Sequence, residues 1–130
     1  MSGLQREDYE SIDRASQTLF ERGWRTRFSL NGMMDAWRGL VEDIEAGYSE
    51  MLDEYTNDAC CRKWLDEAWP LLTPAVRAAR QPELDALDDR FRAATEEISV
   101  PLMKWDDWWW RQVPLRRSGD FAEEVARLGI

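Results

Sequence analysis

Residues 30–55 read LNGMMDAWRGLVEDIEAGYSEMLDEY. On a helix, side chains advance about 100° per residue. At that pitch Leu30, Met33, Met34, Trp37, Val41, Ile44, Tyr48, Met51, Leu52 and Tyr55 fall in one arc. Asp35, Glu42, Asp43, Glu50, Asp53 and Glu54 lie behind it. The pattern predicts one amphipathic helix over 30–55, roughly 39 Å long, with Ser29 as its N-cap. Gly32, Ala36, Gly39 and Gly47 share the acidic side as a seam of small residues. A glycine inside a helix costs about 1 kcal/mol relative to alanine. The seam therefore predicts close approach by another helix of the fold, by a second copy, or by a partner.

The flanks are helical in period as well. Tyr9, Ile12, Ser16, Leu19 and Phe20 make a stripe over 4–22, closed by Gly23. Asn57 is the expected cap of a third helix, with Cys61, Trp64, Leu65, Ala68 and Leu72 turned inward, ending near Trp69 because Pro70 has no amide donor. Thr73-Pro74 signals a restart, a cap followed by proline at the first helical position. A short helix over 75–80 is expected, then a stripe of Leu84, Leu87, Phe91, Ala94 and Ile98, with Pro82 either separating two helices or bending one. Asp120 with Glu123 matches a capping box that opens a last helix over 120–128, and Gly129 follows it. Strand alternation and hairpin turns are missing from the sequence. The expected fold is an all-α, single-domain antiparallel bundle of five to seven helices with no sheet, covering 1–130.

The chain has 130 residues and a net charge of −9. That balance opposes direct binding of nucleic acid, which needs cations to neutralise phosphates, and docking on anionic membrane. It favours a basic partner. The acid is uneven: Glu42, Asp43, Glu45, Glu50, Asp53, Glu54 and Asp58 fall in a stretch without Lys or Arg. The two cysteines, Cys60 and Cys61, are adjacent. They build no disulfide framework, and reduced thiols suit a cytoplasmic protein. The N-terminal stretch has neither the basic nor the apolar region of a signal peptide.

There is no histidine. That removes the Ser-His and Cys-His nucleophile systems and the usual ligand of zinc and haem. Glu42-x-x-Glu45 and Glu50-x-x-Asp53 are similar, in spacing alone, to the acidic motifs that hold Mg²⁺ in all-α nucleotide pyrophosphatases. Such a site needs carboxylates converging from facing helices, and both pairs belong to one expected helix. Cys60 and Cys61 could form a reactive thiol pair near a helix N-terminus, although Cys61 shares the apolar face of Trp64 and Leu65. No catalytic residue, metal or cofactor is expected.

Residues 104–113, KWDDWWWRQV, hold four of the eight tryptophans. A short helix opened by Ser99 and Pro101, and closed before Pro114, turns Leu102, Trp105, Trp108 and Trp109 to one face. It also pairs Asp107 with Arg111. Trp110 lies about 100° further round and remains unexplained. Trp110 beside Arg111, Arg116 and Arg117 has the composition of a protein–protein hot spot, which Trp24 between Arg22 and Arg25 repeats. A tryptophan beside a carboxylate also suits a sugar or a quaternary ammonium group.

The leading expectation is a small acidic protein that acts by occupying a basic protein surface, as an inhibitor, an immunity or anti-defence protein, or an accessory subunit. Glu42, Asp43, Glu50, Asp53 and Glu54 would meet the partner, with Trp110 and Arg111 as anchors. The alternatives are a helical small-molecule binder or Mg-dependent carboxylate hydrolase acting on a nucleotide, and a homo-oligomer, such as a homodimer, built on the glycine seam.

Overall fold

A computed structural model describes residues 3–130. The chain is a helical bundle of α1 (Arg6–Glu21), α2 (Leu30–Ala46), α3 (Leu52–Ala68), α4 (Pro74–Ala93) and α5 (Gly119–Leu128). The expectation of no sheet is corrected: two three-residue strands, β1 (Thr95–Glu97) and β2 (Gln112–Pro114), pair antiparallel with Glu96 opposite Val113. The core lies where α2, α3 and α4 meet, around the fully buried Trp37, Trp64, Leu65 and Phe91. The Trp37 and Phe91 rings pack with centroids 4.6 Å apart.

The single helix expected over 30–55 is two helices. Gly47 has φ 124°, which no helical residue adopts, and α2 stops before it. Tyr48 exchanges backbone hydrogen bonds with a distant segment instead: its amide donates to the Arg116 carbonyl (2.8 Å), and its carbonyl accepts from Ser118 (3.0 Å). Its ring then packs edge-on against Tyr55 and Phe121, at 5.3 and 5.1 Å. The apolar stripe is thus buried as expected at Tyr48 and Tyr55, but by a turn of the chain. Tertiary pairing overrides the local period. Ser29 does cap α2, accepting from the Gly32 amide at 3.0 Å, whereas Asn57 sits inside α3.

Helix α1 also departs from its expected stripe. Tyr9 and Phe20 are exposed, and the buried face is Asp8, Ser11, Ala15, Ser16 and Leu19. A polar face is buried without penalty when each group finds a partner. Here Thr73 Oγ1 donates to Asp8 Oδ1 (2.6 Å), and the Thr73 amide donates to Ser11 Oγ (3.3 Å). Thr73 also caps α4, accepting from Val76. Helix α4 runs unbroken through Pro82, so two expected helices are one. Pro82 forgoes one backbone hydrogen bond, and the apolar face of Leu84, Leu87 and Phe91 holds the helix in place.

The tryptophan segment is not an α-helix. It is a loop, then one 3-10 turn over Trp108–Arg111, then β2. Pairing with the strand region claims its backbone: Ile98 donates to the Arg111 carbonyl and Leu102 to the Trp110 carbonyl, both at 2.8 Å. Trp109 and Trp110 are both buried, each turned into the core by the loop and the 3-10 turn.

Candidate functional site

The acidic stretch marks one end of the bundle, where α2 gives way to α3. Glu42 and Asp43 lie near the end of α2, Glu50 lies in the connector, and Asp53 and Glu54 lie in the first turn of α3. All five are exposed. Among the described residues none of them forms an ion pair, whereas Glu45 in the same stretch is clamped by Arg90, whose Nη2 lies 2.6 Å from Oε1. That contact holds the Glu45 carboxyl below the usual carboxylate range. The break at Gly47 brings Asp58 to the same end, where Tyr48 Oη donates to Asp58 Oδ2 at 3.1 Å. Burial pushes the Asp58 carboxyl up; the Tyr48 hydrogen bond opposes the shift, and the negative charge of Glu54 and Asp43 adds to it. The Tyr48 hydroxyl is raised by burial and by Asp58.

These acids are not equivalent in the fold. A helix N-terminus carries partial positive charge and its C-terminus partial negative charge. Asp53 and Glu54 therefore complement α3. Glu42 and Asp43 oppose α2, whose last turn holds no basic residue. Glu50 belongs to no helix. Among the described residues Glu42, Asp43 and Glu50 form no ion pair; Arg90, clamped to Glu45, also feels the charge of Glu42.

An apolar groove of about 410 Å³ adjoins this end, lined by Leu52, Ile98, Val100, Pro101, Leu102 and Leu128. Val100 is 69% exposed, Leu128 58%, and the neighbouring Met51 53%. Leu52 joins the two features: it lines the groove and opens α3, where its amide donates to Glu124 Oε1 at 3.1 Å.

The expected anchors fall elsewhere. Trp110 is fully buried, and its indole N–H donates to Asp107 Oδ2 at 3.1 Å. It is a core residue, so it is not available to a partner. Asp107 also accepts from Lys63 Nζ at 3.0 Å. Arg111 pairs with Asp106 (2.6 Å), not with Asp107, because a 3-10 turn lacks the helical i, i+4 phase. It also donates to the Ser99 carbonyl (2.7 Å), bracing the rim of the apolar groove. Trp109 is buried under the Arg62 guanidinium, 4.7 Å from its ring centroid. Trp105 and Trp108, expected inside, are half-buried.

The glycine seam is not a helix-packing surface within this fold. A Cβ at Gly39 or Gly47 meets nothing within 4 Å. At Gly32 it would lie 2.8 Å from Ser29 Oγ, so that glycine makes room for the cap. Gly47 is required by its backbone angle. Ala36 is exposed, and nothing in the structure explains Gly39.

Cys60 and Cys61 lie mid-helix in α3 rather than at an N-terminus. Burial raises both thiols, Cys61 to about 12, the opposite of what a thiolate nucleophile needs. Among the described residues no three carboxylates or thiols converge as a metal-ligand set. Glu45 is turned to Arg90, and the helix break separates the two acidic pairs. No described helix is long and apolar enough to cross a membrane. The apolar groove has no signal in the sequence, because Leu52, Val100 and Leu128 come to it from distant parts of the chain. No family model, curated protein or solved structure matches this chain.

Proposed function

We propose that this protein acts by binding another protein, one with a basic surface, at the end of the bundle where α2 meets α3. The observation that carries the reading is the set of exposed carboxylates that the fold leaves unpaired, above all Glu42, Asp43 and Glu50. Like charges gathered at a helix C-terminus lower stability, and a cationic partner converts that cost into attraction and fast, steered association. The neighbouring groove supplies what charge alone does not. Protein interfaces place an apolar centre inside a polar rim, and here Val100 and Leu128 line the groove with Leu52, which is flanked in sequence by the exposed Met51 and Asp53.

The partner is a different chain. A two-fold dimer sets the same patch against itself, and two copies of this acidic end repel each other. An inhibitor or an accessory subunit suits this arrangement, since occupying a surface needs no catalytic group. The test is capture from the lysate of the source cells, with the wild-type chain and a Glu42→Gln/Asp43→Asn/Glu50→Gln variant side by side. A partner held by the wild type, released by salt and lost from the variant supports the proposal. Equal retention by both chains overturns it.

A further inference from the structure

A second cleft, of about 350 Å³, lies on another side of the molecule, between the α1–α2 connector and α3. Arg22, Trp24, Arg25, Lys63, Glu67 and Trp105 line it. Its chemistry is the reverse of the chain's overall balance: the guanidinium groups of Arg22 and Arg25 and two indoles line it with one carboxylate, while the third cation, Lys63, is paired with Asp107, in a protein of net charge −9.

The walls are fixed by the fold. Gly23, at φ 113°, ends α1 in a Schellman motif: its amide donates to the Phe20 carbonyl (3.1 Å) and the Trp24 amide to the Leu19 carbonyl (3.2 Å). That turn sets the direction of Arg22 and Trp24. The Trp24 indole N–H then donates to Glu67 Oε1 at 3.2 Å, which orients the ring and occupies the only lining carboxylate. Opposite, Trp105 packs obliquely on the buried Trp110, centroids 5.9 Å apart. The ammonium groups of Lys63 and Lys104 lie 5.6 and 5.2 Å from the Trp105 centroid. These are the chain's only lysines. Arg22 and Arg25 are exposed, and among the described residues neither forms an ion pair.

We infer that this cleft binds a small aromatic anion of the nucleoside monophosphate class, its base against the Trp24 and Trp105 indoles and its phosphate held by Arg22 and Arg25. Indole faces accept any base by stacking. Guanidinium groups match phosphate oxygens in paired hydrogen bonds. The volume lies at the small end of ligand pockets, which span roughly 300–1,000 Å³. A mononucleotide needs only the cleft. A longer strand would bring further phosphates to a chain of net charge −9, which opposes polymer binding. The inference stands independently of the basic-partner proposal, since the residues of the two sites do not overlap.

The experiment is a titration of the full chain with AMP, read by the tryptophan indole N–H resonances. The Trp24 and Trp105 signals are expected to shift saturably. Adenosine, inorganic phosphate and a thymidine pentanucleotide are each expected to bind about tenfold more weakly or worse. Arg22→Ala/Arg25→Ala removes only exposed side chains and is expected to weaken AMP by about tenfold or more, with the spectrum otherwise unchanged. Arg127→Ala, on α5, is expected to leave binding intact. No shift at millimolar AMP, shifts confined to other indoles, or equal affinity of the double variant overturns the inference. Tighter binding of the pentanucleotide or of phosphate alone overturns the assignment to a mononucleotide.

Discussion

Two sets of charges in this molecule meet opposite fates. In the core, Asp88 receives the Arg62 guanidinium through two hydrogen bonds, at 2.9 and 3.0 Å, and the Trp37 indole N–H at 3.1 Å. At the α2–α3 end, Glu42, Asp43 and Glu50 form no ion pair among the described residues. A buried charge must be partnered or the structure fails. An exposed one left unpartnered, where the helix dipole opposes it, contributes nothing to folding. The difference separates the carboxylates that build the protein from those free to meet something else.

The sharpest way to break that contrast is at Asp88. Asp88→Ala strands the Arg62 charge in the core and is expected to destabilise by about 3–5 kcal/mol, as a lowered urea midpoint. A loss well under that range would mean that the pair is not the structural charge described here. Glycines give the next largest effect. Gly47→Ala is expected to cost about 1–3 kcal/mol, because alanine resists a positive φ. Gly39→Ala, inside α2 with open space around it, is expected to stabilise by about 0.5–1 kcal/mol. If 30–55 were one helix, both changes would stabilise, so thermal melts of the pair distinguish the two architectures.

Acid titration separates two further carboxylates by sign. The Thr73 hydroxyl and the Gln5 amide hold Asp8 below the usual carboxylate range. Its contribution is therefore fully present above the unfolded-state pKa and is lost as pH falls through the lowered folded value. Asp58 is raised, mainly by burial, so its contribution is greatest at low pH. That contribution fades as pH rises from the unfolded-state value through the raised folded one. Thr73→Val is expected to flatten the acid limb of the stability profile. Asp58→Asn keeps an acceptor for Tyr48 and is expected to raise stability at neutral pH relative to wild type. Equal pH profiles for Thr73→Val and wild type would remove the role given to Asp8.

Much of the bundle was legible in the sequence. The caps at Ser29 and Thr73, the stop at Pro70 and the turns at Gly23 and Gly129 rest on local backbone chemistry, which a sequence displays. The breaks came where a distant segment competes for the backbone: Arg116 and Ser118 for Tyr48, and the strand region for the tryptophan run. Periodicity in 30–55 continues through Gly47 because Tyr48 and Tyr55 are buried either way, so pattern alone could not register the turn. The acidic stretch was legible as composition. That Glu45 is taken by Arg90 while its neighbours are left free needed the packing of α2 on α4. Trp110 is a remainder only on a helical wheel; in the loop and 3-10 turn it is buried.

The account turns on whether the unpaired acids serve binding and not folding. The most direct measurement compares the wild-type chain with the Glu42→Gln/Asp43→Asn/Glu50→Gln variant in capture of a basic partner, each with its urea midpoint. The account predicts an unfolding free energy equal to wild type or higher by a few tenths of a kcal/mol, with a midpoint that does not fall, together with loss of the partner. A folded variant that still holds the partner, or a variant whose midpoint collapses, would contradict it.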